Sequence, residues 1–104
     1  MEVQITTDHN IEGSMGLNEY LGATLKDDLA RFGSHLTKVD VHLADENSHK
    51  DTPNDKRCIL QASVKGRPPI VVKNHADTVE LSFTGALSKL VSSLDSQLDK
   101  LKNR

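Results

Sequence analysis

The chain has 104 residues, with 13 Lys and Arg against 15 Asp and Glu, five His and a formal net charge of −2. That length suits one domain with one core, and a single cysteine excludes an internal disulfide. No apolar run approaches the ~18 residues that a membrane helix needs, and nothing like a secretory signal opens the chain, so a cytoplasmic protein is expected.

Glu2–Thr7 alternates, with Val3 and Ile5 on one face, and predicts a short strand. A turn follows, with Ser14 as the expected N-cap of a helix. Leu17, Tyr20, Leu21, Leu25, Leu29 and Phe32 recur at spacings of three and four, which makes one apolar stripe on a helix of about five turns. Gly33 stands where a left-handed C′ residue is expected. Thr37–Asp45 alternates strictly, with Val39, Val41 and Leu43 facing in and Lys38, Asp40 and His42 facing out. Arg57–Lys65 is the third strand, with Cys58, Leu60, Ala62 and Val64 on its apolar side. A Gly-Arg-Pro-Pro turn leads into Ile70–Ala76, which Pro69 marks as an edge strand.

Asp77 and Glu80 have capping-box spacing at the start of the last helix. Its stripe is Val79, Phe83, Leu87, Leu90, Val91, Leu94, Leu98 and Leu101, and Lys100, Lys102 and Arg104 suit the negative end of its dipole. The order is thus β-α-β-β-β-α. The first two strands need a crossover and should be parallel. An α+β fold with two helices on one face of a four-stranded mixed sheet buries every stripe. The other face, with Gln4, Thr6, Asp40, His42, Gln61, Ser63, Lys65 and Lys73, stays open to water or to a partner.

Charge is unevenly spread. From Lys56 to Ala76 the chain carries Lys56, Arg57, Lys65, Arg67 and Lys73 and no acid. Such a basic segment in a mildly acidic protein can mark a surface for polyanions. The preceding segment, Asp45 to Asp55, is acidic and joins two strands as a long connection. A metal reading would use Asp45, Glu46, His49, Asp51 and Asp55, but neither EF-hand nor zinc spacing is present. No metal or cofactor is expected, and a solvated hairpin tip is the favoured reading. Cys58 lies on the inward alternation and lacks an activating motif, which makes it a core residue. No phosphate-binding loop, dinucleotide fingerprint or zinc-protease motif occurs, so no enzyme is expected. The three aromatics, Tyr20, Phe32 and Phe83, all fall on core stripes, which leaves no platform for base stacking.

Beyond this reading of the residues, "VQITTDHNIEGSMGLNEYL", "VDVHLADEN" and "ADTVELSFTGALSKLVSSLDSQLDKLK" resemble the opening strand and first helix, the second strand and the closing helix of the ribosome hibernation factors. That family takes in the short hibernation-promoting factor, the ribosome-associated inhibitor A and the domain once called the sigma-54 modulation protein. The resemblance covers nearly the whole chain. It implies a fold similar to a double-stranded-RNA-binding domain with an added first strand. It also implies a cytoplasmic stress protein that binds the small ribosomal subunit and blocks initiation, with no chemistry of its own. Under it Lys56, Arg57, Lys65, Arg67, Lys73 and Lys89 are the expected contacts to ribosomal RNA phosphates. Asn18, Ser92 and Ser96 stand where the family is expected to carry Arg or Lys. The alternative is a protein-interaction module, dimerising through an edge strand or the last helix, that keeps the fold without the RNA surface.

Overall fold

Strict alternation gives each strand one apolar face, and two helical stripes are available to cover it. The computed structural model describes residues 1–8, 15–46 and 55–102, with side chains as far as residue 98. Its elements are β1 (Glu2–Thr7), α1 (Met15–Asp28), a 3-10 turn (Ala30–Phe32), β2 (Leu36–Asp45), β3 (Lys56–Val64), β4 (Ile70–Ala76) and α2 (Val79–Lys102). The sheet order is β1-β2-β3-β4. β1 runs parallel to β2, and β2, β3 and β4 form an antiparallel meander. The α+β fold read from the sequence is therefore the one formed.

Leu21, Leu25, Leu90 and Leu94 are wholly buried over Val39, Val41, Leu60 and Ala62. The two helices run in the same direction. Tyr20 Oη donates to Glu80 Oε1 near their starts, and Arg31 makes a bidentate pair with Asp95 beyond the end of α1. These pairs are exposed and contribute at most about 1 kcal/mol each, so packing under the helices carries the stability.

Four local features differ from the sequence expectations. The first helix does not continue to Phe32. It ends at Asp28, and a 3-10 turn lets Leu29, Phe32 and Leu36 all reach the core. Gly33 is right-handed, with φ −56°, and its N–H donates to Ala30 O, so it is no C′ residue. The cap of α2 is Thr78, whose Oγ1 accepts from Leu81 N–H at 3.0 Å, one residue after the expected Asp77. Tyr20 is half exposed at the helix–helix rim, because its ring lies at the edge of the stripe. Ser14, the expected cap of α1, lies outside the described residues, as do the side chains of Lys100, Lys102 and Arg104.

A register shift separates Leu36 from Lys38 in the β2–β3 ladder. The extra residue, Thr37, lets Leu36 and Val39 point to the same buried face although three positions apart. At the other side of the core, α2 comes down closely on β4. A Cβ on Gly85 would stand 2.1 Å from Asn74 Nδ2, and that amide donates to Ser82 O at 3.2 Å. Gly85→Ala gains about 1 kcal/mol of helix propensity but displaces the Asn74 side chain from its carbonyl. We expect a net loss of about 1 kcal/mol in urea melts. In an Asn74→Ala background the same change should stabilise by about 1 kcal/mol.

Candidate nucleic-acid interface

The register sorts the basic residues by face. Arg57, Ile59, Gln61 and Ser63 of β3 alternate away from the helices, beside His75, Lys73 and Val71 of β4. Lys56 has the opposite parity and lies on the helix side of the sheet's end, in line with Asp45. Its Nζ is 2.9 Å from Asp55 Oδ1 and 3.3 Å from Asp45 Oδ2. The Asp55 hydrogen bond, together with Asp45, holds the Lys56 ammonium above the ordinary lysine value. Arg57 stands on the open face, with Nη1 3.8 Å from Glu46 Oε1.

Lys65 and Arg67 occupy the β3–β4 turn, at the far end of β3. Nine residues of strand put them about 30 Å from Lys56. The turn closes with Arg67 N–H donating to Val64 O, and Gly66 takes φ 71°, the left-handed value that a type II turn needs at its third position. Lys73 lies midway along β4 on the open face. Lys89 reaches the same strand from α2, its Nζ donating to Lys73 O at 2.7 Å. Among the described residues, Lys65, Arg67, Lys73 and Lys89 make no ion pair, whereas Lys38, Lys56, Arg57 and Arg31 each face a carboxylate.

The six expected contacts are thus not one strip. Four of them follow the β4 edge and its turn, and two sit at the β2–β3 end among acids. β4 is a true edge, as Pro69 suggested. The opposite edge is unlike it. Val3 and Ile5 of β1 line an open groove of about 860 Å³ with Met15, Gly22 and Ala23 of α1, and among the described residues that line it Lys26 is the one cation.

Lys89 entered the sequence reading only through family resemblance, since nothing in its local pattern ties it to β4. Among the described residues no group of three or more His, Cys, Asp and Glu side chains is placed to hold a metal. His49 and Asp51, which the metal reading needed, lie outside those residues. Within the same residues no helix is long and apolar enough to cross a membrane. Cys58 is fully buried, and burial pushes its thiol up to about 12. A thiol held so far above neutral pH is a poor nucleophile.

The family described as sigma 54 modulation protein / S30EA ribosomal protein matches residues 3–104. Among solved structures, the N-terminal domain of Protein Y from Thermus thermophilus is similar, with a TM-score of 0.73 at 14% identity over 92% of this chain and 98% of that one. A ribosomal subunit interface protein from Coxiella burnetii is similar with a TM-score of 0.67 at 17% identity, and each chain is covered in full. No curated protein matches the chain by sequence. At these identities the two structures attest the fold.

The state of Cys58 is open to direct measurement. Ellman's reagent at about pH 8 should leave the native thiol nearly unlabelled while the protein in urea reacts at once. Rapid labelling of the native protein would show that the β3 core face opens.

Proposed function

The chain belongs to the sigma 54 modulation protein / S30EA ribosomal protein family, and on that premise we propose that it is a ribosome-associated hibernation factor of the cytoplasm. It binds the small ribosomal subunit through ribosomal RNA phosphates and inhibits translation by occupying a site that another ligand needs. The observation that carries this reading is the β4 rim, where Lys65, Arg67, Lys73 and Lys89 make no ion pair among the described residues. Lys65, Arg67 and Lys73 fall within nine residues of chain, five of them the turn at 65–69, and Arg67 and Lys73 are at most about 20 Å apart. Phosphates on a nucleic-acid backbone are close enough to meet several of them at once.

Lys56 and Arg57 rank behind these four. Lys56 is held between Asp45 and Asp55, and a phosphate would have to displace a carboxylate that already satisfies it. Arg57 is closer to availability, since its nearest carboxylate oxygen is 3.8 Å away. No Phe, Tyr or Trp lies on the open face, which favours contacts to phosphate and sugar over stacking on bases. Tyr20, half exposed, lies among the helices on the other side.

Sedimentation with purified small subunits tests the proposal. Wild-type protein should travel with the subunits at low salt and leave them as salt rises. Four phosphate contacts correspond to a slope of log K against log salt of roughly −3 to −4. Lys65→Glu with Arg67→Glu should abolish co-sedimentation at every salt concentration. A wild-type protein that stays at the top of the gradient even at low salt would sink the proposal.

A further inference from the structure

His75, Glu46 and Arg57 form a cluster beside the cationic rim that the phosphate-contact reading leaves unused. β4 presents His75 on the open face directly opposite Arg57 of β3. Glu46, the residue after β2, reaches both: its Oε1 is 2.5 Å from His75 Nε2 and 3.8 Å from Arg57 Nη1. The three side chains are similarly exposed, at 38%, 41% and 37% for His75, Glu46 and Arg57, so a ligand can approach any of them. Arg57 Nε is buried and has no hydrogen-bond partner among the described residues. Glu46 therefore engages the imidazole closely and the guanidinium only loosely.

Among the described residues, the charged groups around His75 come from three strands. Arg57 comes from β3 and Glu46 from the end of β2, while Ala44 completes the cross-strand row without a charge. Lys73 precedes His75 by two residues on the same face of β4, and Asp77 follows it by two. α2 packs on the opposite face of the sheet.

This arrangement assigns the ring nitrogens. A carboxylate only accepts, so Nε2 carries the proton that bonds Glu46, and in the neutral ring Nδ1 is a bare acceptor. A second proton enters at Nδ1. It adds a donor and a positive charge without breaking the Glu46 bond. Histidine is the side chain whose charge ordinarily changes between about pH 5 and pH 8. The row Arg57–His75, with Lys73 beside it, then becomes more positive by one charge, which offsets Glu46 and leaves the Nδ1 donor for a phosphate.

We propose that His75 is a proton-gated phosphate contact, oriented by Glu46, which strengthens RNA binding as pH falls. The proposal rests on the phosphate-contact reading above and adds a residue and a regulation to it. The sign follows from charge. Only protonated His75 attracts phosphate, so affinity rises toward acid, and bound RNA in turn favours the protonated ring.

Fluorescence anisotropy with a labelled short RNA duplex tests it, at about pH 7.5 and about pH 5.5 and at one ionic strength. One added phosphate contact near 0.1 M salt corresponds to roughly five- to tenfold in affinity, and wild-type protein should gain at least that on acidification. His75→Gln keeps an N–H for Glu46 but takes no charge, and its acid-to-neutral affinity ratio should fall by the same factor. The remaining ratio is what the other four histidines supply. If His75→Gln keeps the full wild-type ratio, the gating role is overturned and the phosphate-contact reading stands. If neither protein binds the duplex at either pH, the phosphate-contact reading itself is overturned, and the gating role with it.

Discussion

One apolar layer, pressed between the sheet and two parallel helices, sets the terms for every other feature of this protein. Leu21, Leu25, Leu90 and Leu94 above, and Val39, Val41, Cys58, Leu60 and Ala62 below, are sealed from water. Each large side chain in such a layer contributes about 1.5–3 kcal/mol relative to exposure. No staple assists it, because the chain has one cysteine and that residue is part of the layer. The layer claims one face of each strand and one stripe of each helix. Charge is left with the open face, the two sheet edges and the ends.

Those remaining places are not equivalent. The β2–β3 end gathers Asp45, Glu46 and Asp55 around Lys56 and Arg57, so its charges largely satisfy one another. Asp55, only 8% exposed, is the most buried carboxylate of this group, and a buried charge needs a partner at hydrogen-bond distance. Along the β4 rim, Lys65, Arg67, Lys73 and Lys89 meet no such acid among the described residues, so their charge is not offset by a neighbouring carboxylate there. Screening over about 8 Å at physiological salt means that a phosphate at the rim senses the rim more than the far end of the molecule. A net charge of −2 and a local affinity for polyanions are therefore compatible, although the net charge weakens long-range attraction.

The cluster of His75, Glu46 and Arg57 sits where these two territories meet. It belongs to the acidic end through Glu46 and to the cationic edge through β4. The same sheet geometry that separates Lys56 from Arg57, by placing consecutive residues on opposite faces, makes Arg57 a neighbour of His75.

By itself the sequence determined the kinds of element, their order, the buried stripes and the edge position of β4, because periods of two and 3.6 and the chemistry of Gly and Pro are local. Cys58 as a core residue was legible for the same reason. The bulge at Thr37 was not, since a register shift exists only between two strands. The 3-10 turn after Asp28 and the exposure of Tyr20 were settled by how the core closes around Leu29 and Phe32. Above all, a list of five basic residues between Lys56 and Ala76 gave no means of telling held cations from unpaired ones. Lys56 meets Asp45 across a strand pair, Lys89 meets the Lys73 carbonyl across a helix–strand contact, and His75 meets Glu46 across 29 residues of chain. Only folding brings those partners within reach, and a charge's availability depends on what stands within a few ångströms of it.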